Sequence, residues 1–215
     1  MNNSIHIMTQ QLASILADNN PTIYLYGSLV LDYYRLGWSD IDIICLTEIP
    51  LSQTQADELV MLRQALLKEY PGNQYFRSFE GVITTWDVIL NRNNDKVVYW
   101  GTSGQRLMDS FSIDPFSLIE IIKYGQLLYG EDHKDTLKYP SHSEIHDAVK
   151  KHYDSIRKYA AATDAHLYSA GWLLDIARCL YTLRTDDLIS KTAAGKWAIE
   201  NNLSPEPEYI LRKQL

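Results

Sequence analysis

The sequence has little of what marks a secreted, membrane-spanning or nucleic-acid-binding protein. Only two of its 215 residues are cysteines, Cys45 and Cys179. Both lie inside apolar runs, which favours two buried thiols over a disulfide and suits a reducing cytoplasm. The first residues lack the basic start and unbroken apolar stretch of a secretory signal, and no later run reaches membrane-spanning length. We therefore expect a soluble, cytoplasmic protein with no membrane partner.

Positive charge is also scarce. Lys and Arg total 20 against 27 Asp and Glu, which gives a formal net charge of -7. Such a field repels polyanions and favours cationic partners, so no nucleic-acid partner is expected. Internal repeats and low-complexity tracts are absent as well. The length and a hydrophobic content of 46% suit one compact unit or two small lobes.

The first half of the chain has a mixed helix and strand pattern. Apolar residues at helical spacing predict amphipathic helices over residues 4–16, with Ser4 as N-cap, and over residues 56–70. Runs rich in β-branched and aromatic residues predict strands at residues 22–26 and 41–46, and two further strands within residues 74–90. This half is therefore predicted to be an α/β domain.

The second half has a helical pattern. A stretch rich in Gly, Ser and Asp, residues 101–114, is the predicted joint between the halves. The predicted helices cover residues 115–128, 143–162, 166–183, 190–201 and 206–215. The predicted fold class is α+β, with an N-terminal α/β domain at residues 1–110 and a C-terminal helical bundle at residues 111–215.

Two carboxylates stand at alternate positions of the second predicted strand. Because strand side chains alternate between faces, Asp40 and Asp42 project to one side while Ile41 and Ile43 project into the core. Converging carboxylates repel one another unless a cation lies between them. A hard, oxygen-seeking ion such as Mg²⁺, bound to substrate phosphates, meets that need.

A Gly-Ser pair follows the first predicted strand. Gly27 has no Cβ, so backbone N–H groups there can approach a phosphate closely, and the Ser28 hydroxyl adds a donor at the start of a short helix. Gly-Ser alone is usually a turn, and Asp-x-Asp alone is usually two solvated charges. Their order on successive strands predicts one site, a triphosphate cradle beside a metal-binding carboxylate pair.

The run YLYGSLVLDYYRLGWSDIDIICL, with Ser39 opening its Ser-Asp-x-Asp, resembles the signature of the polymerase-β-like nucleotidyltransferase superfamily. The resemblance covers about residues 22–90. It implies a mixed sheet, Mg²⁺ at Asp40 and Asp42, and nucleotide binding at Gly27, Ser28 and Ser39. It also implies transfer of a nucleoside monophosphate, AMP from ATP, to a hydroxyl of a small molecule.

The superfamily usually adds a third carboxylate from a neighbouring strand, and two residues qualify here, Glu80 and Asp87. The antibiotic-modifying branch carries a Glu on a strand that follows the Asp-x-Asp hairpin. That resemblance implies that Glu80 is the general base toward the acceptor hydroxyl, because a hydroxyl is a poor nucleophile until a positioned base takes its proton. A half-exposed strand can also present Glu80 merely to water.

The stretch GWLLDIARCLYTLRTDDLISKTAAGKWAIENN is similar to the C-terminal helices of streptomycin and spectinomycin adenylyltransferases. The similarity implies that Arg178 and Lys191 reach across an interdomain cleft to the triphosphate, and that the acceptor is a cationic aminoglycoside or aminocyclitol. Without it, both are ordinary helix-surface cations. The chain departs from the family by carrying Asp186-Asp187 where a Gly is common.

Three alternatives stay open. The acceptor can instead be a metabolite or a protein hydroxyl, as in antitoxin-like nucleotidyltransferases, or the chain can be a degenerate nucleotide-binding module.

His142 and His146 are four residues apart, a spacing that can chelate zinc from one helix face, but no third ligand follows at a convincing distance in the sequence. That pair is therefore interpreted as a solvated helix start.

Overall fold

The computed structural model describes residues 1–101, 104–160 and 167–203, and only the backbone of residues 167–170. The chain forms two compact units. The first contains Met1–Ile113 and Glu120–Lys138, and the second contains Asp114–Ile119 and Tyr139–Leu215. The chain thus enters the second unit at residue 114, returns at 120 and leaves again at 139, whereas the sequence pattern suggests one contiguous division after residue 110.

A six-stranded mixed sheet forms the centre of the first unit. Its spatial order is β5-β4-β3-β2-β1-β6. The strands are β1 (Thr22–Tyr26), β2 (Ile41–Thr47), β3 (Phe79–Thr85), β4 (Val97–Gly101), β5 (Gly104–Met108) and β6 (Gln126–Tyr129). β2 and β3 run parallel, and every other neighbouring pair is antiparallel. The predicted mixed sheet is confirmed.

Two long helices of the first unit supply apolar side chains to the core beneath the sheet. They are α1 (Asn2–Ile15) and α2 (Gln53–Glu69), and α2 makes the crossover between the parallel strands β2 and β3. Ser52 and Gln55 form a capping box at the start of α2. The shared core contains Leu12, Leu16, Ile41, Ile43, Leu59, Leu66, Phe79 and Ile83.

Three sequence predictions for the first unit are wrong. Ser4 is not a helix cap, because α1 already begins at Asn2 and the buried Ser4 hydroxyl pairs with the Asn73 side chain. The second predicted strand within residues 74–90 is a short helix, α3 (Trp86–Asn91), whose first turn is capped by the Thr85 hydroxyl. The predicted helix 115–128 stops early, at the end of α4 (Pro115–Tyr124), because the next residues form β6 beside β1.

The described part of the second unit is helical. Its helices are α5 (His142–Ala160), α6 (Leu167–Thr185) and α7 (Lys191–Glu200), joined by the first residues of α4. These confirm the helices predicted at 143–162, 166–183 and 190–201, while the one predicted at 206–215 lies outside the described residues. One core cluster contains Phe116, Ile119, Ile145, Ala148, Val149, Cys179 and Leu188.

Both cysteines are free and buried, as predicted. Cys45 lies in the core of the first unit and Cys179 in the core of the second. Among the described residues, no helix combines the length and the apolar character that crossing a membrane requires.

Candidate active site

Strand register brings two predicted site residues, Asp42 and Glu80, to one end of the sheet. Asp42 on β2 is paired with Tyr26 at the end of β1 and with Glu80 at the start of β3. Neighbouring residues in register project from the same face, and adjacent strands lie about 4.8 Å apart. Ile41 and Ile43 point into the core, so Asp42 and Glu80 share the opposite face, where both are half-buried.

The Gly-Ser pair meets the same carboxylate. Gly27 has a φ of +75°, in the left-handed region that side chains other than glycine rarely adopt. A Cβ placed on Gly27 would overlap the Asp42 carboxylate, with its Cγ only 2.9 Å away. Backbone conformation and space therefore both require glycine here, and the two sequence motifs are in direct contact.

Ser28 has a buried hydroxyl with nothing to bond to within the described part of the chain. It belongs to the 3₁₀ turn Gly27–Leu29, and its carbonyl oxygen accepts a hydrogen bond from the Tyr33 amide at 3.0 Å. Its Oγ is buried and makes no hydrogen bond with any described residue. Buried polar atoms normally have a partner, so this hydroxyl suits a bound ligand oxygen.

A tight turn delivers Asp40 to the start of β2. The Ser39 hydroxyl accepts a hydrogen bond from the Arg35 amide at 3.0 Å, and the Ser39 amide donates to the Arg35 carbonyl at 2.8 Å. Ser39 thus shapes the loop that ends at Asp40. Burial raises the pKa of the Tyr34 hydroxyl, and the negative charge of Asp40 contributes to the increase.

The two candidates for the third carboxylate lie at opposite ends of β3. Glu80 is its second residue and is in register with Asp42. Asp87 follows the strand, in the first turn of α3, and is exposed. Hydrogen bonds from the Asn91 and Asn93 side chains lower the pKa of Asp87. Asp87 is therefore occupied in organising a helix end, away from Asp42.

A buried arginine lies beside the acidic residues, and the sequence reasoning missed it. Arg63 on α2 is only 7% exposed and donates to the Phe79 carbonyl at 2.7 Å and the Gly101 carbonyl at 3.2 Å. Burial lowers its pKa, and the negative charges of Glu80 and Asp40 oppose that decrease. Arg63 ties β3 to β4 and places a cation near two site carboxylates. Its signal in the sequence is an Arg at a position of the apolar stripe of α2.

In the second unit, Arg178 and Lys191 meet on one carboxylate. The Arg178 guanidinium donates to Asp175 Oδ1 at 3.1 Å, and Lys191 Nζ donates to Asp175 Oδ2 at 2.9 Å. Arg178 also lies over the Phe116 ring, 5.3 Å from its centroid. The Ser190 hydroxyl caps α7 by accepting from the Ala193 amide, which fixes Lys191 at the first helical position. Asp175 was not predicted, although it lies one turn before Arg178.

This arrangement suits phosphate chemistry. Three carboxylates stand at one end of the sheet, from Asp42 and Glu80 in register and from Asp40 directly before β2, and Gly27 makes room for the Asp42 carboxylate. Carboxylate oxygens are the ligands that Mg²⁺ prefers, and a buried serine hydroxyl can donate to a phosphate oxygen.

Comparison with known proteins gives matches of two different kinds. Residues 137–214 match the family model of the aminoglycoside adenylyltransferase C-terminal domain. The fold is similar to that of spectinomycin adenyltransferase AAD(9) from Enterococcus faecialis, crystallised with ATP and spectinomycin. That match has a TM-score of 0.64 and 16% identity, and covers 93% of this chain and 83% of the other. No curated protein sequence matches the chain.

The two matches agree with the resemblance found in the sequence. The structural match shows a similarity of fold to an adenyltransferase. Since the two sequences are only 16% identical, this match is evidence for the fold alone. The family model adds an independent match in the helical half. The chain thus has the fold of an adenyltransferase, and its C-terminal region resembles the C-terminal domain of the aminoglycoside adenylyltransferases.

Proposed function

We propose that this enzyme transfers AMP from ATP to a hydroxyl of a cationic aminoglycoside or aminocyclitol, with Mg²⁺ as its metal. The observation that carries the proposal is the register of Asp42 with Glu80, together with the contact between Asp42 and Gly27. These residues join a phosphate-binding turn, metal-binding carboxylates and a candidate base at one end of one sheet.

The first unit supplies the residues for nucleotide and metal. Asp40 and Asp42 hold Mg²⁺, and the Ser28 hydroxyl donates to a phosphate oxygen. The missing side chain of Gly27 leaves room for the Asp42 carboxylate beside the phosphate-binding turn, and Ser39 keeps Asp40 in place through its turn with Arg35. When bound, Mg²⁺ supplies charge that offsets the negative charge on the transferred phosphorus.

Glu80 acts on the acceptor. Its carboxylate accepts the proton of the acceptor hydroxyl as the hydroxyl oxygen attacks the α-phosphorus of ATP. A new phosphorus–oxygen bond forms on the acceptor, and the bond between the α-phosphorus and the bridging oxygen to the β-phosphate breaks. Pyrophosphate leaves with the electron pair, and the acceptor keeps AMP as a phosphodiester.

Arg178 and Lys191 serve as phosphate-binding cations in this proposal. Asp175 holds the two side chains next to each other, so they form one site for an anion. The Lys191 side chain is 48% exposed and so can exchange Asp175 for a phosphate oxygen without a change of fold. This role depends on the family resemblance in the helical half.

The choice of acceptor has two supports. The net charge of -7 favours a cationic molecule over a polyanion. The structural neighbour was crystallised with spectinomycin, an acceptor of the proposed chemical class. The chain retains Ser28, Asp40, Asp42 and Glu80 together, which argues against a degenerate module without activity.

The direct test incubates the purified full chain with ATP, Mg²⁺ and a panel of aminoglycosides and aminocyclitols, and measures pyrophosphate release. At least one acceptor is expected to support turnover and to gain the mass of AMP. The Glu80→Gln variant keeps the shape of the side chain but cannot take the proton, so its kcat is expected to fall by about 10²–10⁴-fold. Asp87→Asn is the matched control and is expected to retain activity.

The results also distinguish an error in the site assignment from an error in the choice of acceptor. If the whole panel is silent but the chain binds ATP with Mg²⁺, and Asp42→Asn abolishes that binding, the site assignment stands and the antibiotic acceptor is wrong. If Asp42→Asn transfers AMP at the wild-type rate, the site assignment itself is wrong, because a metal ligand has been removed.

A further inference from the structure

A second group of potential metal ligands lies in the helical unit. His142 and His146 on α5 come together with Asp186, the residue after α6, and within the described chain one ligand atom of each lies within 4.8 Å of the others. His142 Nδ1 is 2.7 Å from Asp186 Oδ1, and the two imidazole centroids are 4.1 Å apart. All three residues are exposed. The third ligand that the sequence did not offer thus comes from 40 residues further along the chain.

The start of α5 is held by its own cap. The Ser141 amide donates to Glu144 Oε2 at 2.9 Å, and the Glu144 amide donates to Ser141 Oγ at 3.3 Å. This reciprocal pair is a capping box, which satisfies two helix-end groups at once. It fixes the first turn of α5, on which His142 lies, with His146 one turn later on the same face.

Asp186 is held independently. Its backbone has a left-handed φ of +52°, its amide donates to the Thr182 carbonyl at 2.9 Å, and its carbonyl accepts from the Tyr139 hydroxyl at 3.2 Å. A left-handed residue commonly ends a helix, and Asp tolerates that conformation better than most residues. The backbone of Asp186 is thus fixed at the end of α6, and its carboxylate lies within hydrogen-bonding distance of the His142 ring.

Two imidazoles and one carboxylate make a donor set for a first-row transition ion. Zn²⁺ binds His nitrogen and Asp oxygen at about 2.0–2.2 Å and leaves the fourth tetrahedral position to water in such three-ligand sites. Donors around such an ion lie about 3.3 Å apart, which rotation of exposed side chains reaches easily from the present spacing. Mg²⁺ and Ca²⁺ prefer oxygen ligands throughout and suit this set poorly.

We propose that His142, His146 and Asp186 bind a divalent transition ion, with Zn²⁺ as its best representative. The ion links the first turn of α5 to the end of α6, four residues before the Ser190 cap of α7. It therefore cross-links the loop between α6 and α7 to α5. Binding to the folded state alone stabilises that state by mass action, so the ion raises the stability of the helical unit.

A plain surface ion pair is the competing interpretation, and His146 separates the two. In an ion pair, only His142 and Asp186 interact, with a contribution of about 0–1 kcal/mol, and His146 has no role. In a metal site, His146 supplies a ligand and its loss weakens metal binding as much as the loss of Asp186. The experiment therefore compares variants at those two positions.

Zn²⁺ alone is titrated into the full chain, free of any affinity tag, by calorimetry or by competition with a chromophoric chelator. Excess Mg²⁺ is present throughout to occupy the carboxylates of the candidate active site. His146→Gln and Asp186→Asn are the test variants, since Asn also adopts the left-handed conformation. His6→Gln, which removes an exposed histidine of α1, is the matched control.

The wild-type chain is expected to bind Zn²⁺ at this site at least about 10-fold more tightly than either test variant, because each loses a direct ligand. Zn²⁺ is also expected to raise the Tm of the wild type and of His6→Gln but not of His146→Gln. Equal Zn²⁺ affinity in wild type and His146→Gln overturns the proposal, as does an equal loss in the His6→Gln control. Circular dichroism of each variant confirms that the exposed substitutions leave the fold intact.

Discussion

At the scale of single residues, Gly27 is the position where backbone and site chemistry coincide. Its left-handed φ and the closeness of the Asp42 carboxylate both exclude a side chain. Gly37 has a similar φ of +78°, but nothing lies within 4 Å of the place where a Cβ would stand. Alanine variants at the two positions therefore separate the destabilisation caused by the left-handed backbone from the effect of displacing the Asp42 carboxylate.

Gly27→Ala is expected to lose both stability and activity, whereas Gly37→Ala loses only stability. The left-handed conformation costs each variant about 1–2 kcal/mol in the free energy of unfolding. In Gly27→Ala the new methyl group must also displace the Asp42 carboxylate, so ATP binding in the presence of Mg²⁺ falls as well. Chemical denaturation and nucleotide titration of both variants measure the two effects. Equal nucleotide affinity in the two variants would contradict the assigned contact.

Arg63 and Asp175 show which residues of a site stay hidden in a sequence. Arg63 breaks the apolar stripe of α2 and Asp175 is a polar residue between apolar ones in α6, and neither position by itself names the partner of the side chain. Their partners are distant, since Arg63 bonds to the Phe79 and Gly101 carbonyls and Asp175 bonds to Lys191. Only the folded chain brings these partners within reach.

At the scale of elements, the parallel pair β2 and β3 decides which acidic residues meet at the candidate site. The α2 crossover returns the chain to the same end of the sheet, so Asp42 and Glu80 both lie at the starts of their strands. Asp87 lies at the other end of the sheet, because it follows the last residue of β3. An antiparallel hairpin between these strands would have reversed that outcome.

The start of α4 carries a charged cap. Asp114 accepts from the Phe116 amide at 3.1 Å and lies 3.4 Å from His152 Nε2. Burial acts to raise the pKa of Asp114, but the hydrogen bond and the charge of His152, together with backbone amides, outweigh it and leave that pKa below its usual value. A carboxyl whose pKa is lowered by folding stabilises the folded state only while it is ionised.

The sign of the pH dependence follows from that shift. The contribution of Asp114 is fully present above the unfolded carboxyl pKa of about 3.9 and is lost as the pH falls through the lower folded pKa. Asp114→Asn keeps a capping oxygen but no charge, so it is expected to be less stable than wild type at pH 6 and to converge with it toward pH 3. Denaturation across that range measures this, with the exposed Asp109→Asn as control. A constant difference between wild type and Asp114→Asn would refute the assignment.

At the scale of the whole molecule, each unit has its own core, and each core contains one cysteine. Cys45 belongs to β2, with its side chain in the core of the first unit, and Cys179 lies among the helices of the second unit. Burial raises the pKa of both thiols, that of Cys179 to about 11. The thiolate is the reactive form, so a rise of about two units from an ordinary thiol lowers the reactive fraction near neutral pH by about 10²-fold.

Thiol labelling therefore reports on the two units separately. In the native protein, a chromogenic disulfide reagent is expected to react with Cys179 about 10²-fold more slowly than with a free thiol and to leave Cys45 unmodified. Unfolding by denaturant exposes both thiols to the reagent. The single variants Cys45→Ala and Cys179→Ala assign each phase to one unit as denaturant is raised. Stoichiometric labelling of native protein within the dead time of mixing would contradict the burial of both thiols.

The sequence by itself determined the features that depend on near neighbours in the chain. Alternation along β2 placed Asp42 opposite the core residues Ile41 and Ile43, and apolar periodicity located the helices of the second half. Short runs were ambiguous, so the pattern misassigned α3 and β6 and did not reveal β4 or β5. The secondary structure of such a short run is decided by the strand or helix against which it packs.

Tertiary structure decided which distant residues meet. It placed Glu80 rather than Asp87 in register with Asp42, added Arg63 beside them, and joined Arg178 to Lys191 through Asp175. It also brought Asp186 to His142 and His146, the third ligand that spacing along the chain could not supply. The physical reason is the same each time: local patterns fix which face a side chain takes, whereas strand register and helix packing fix what stands opposite that face.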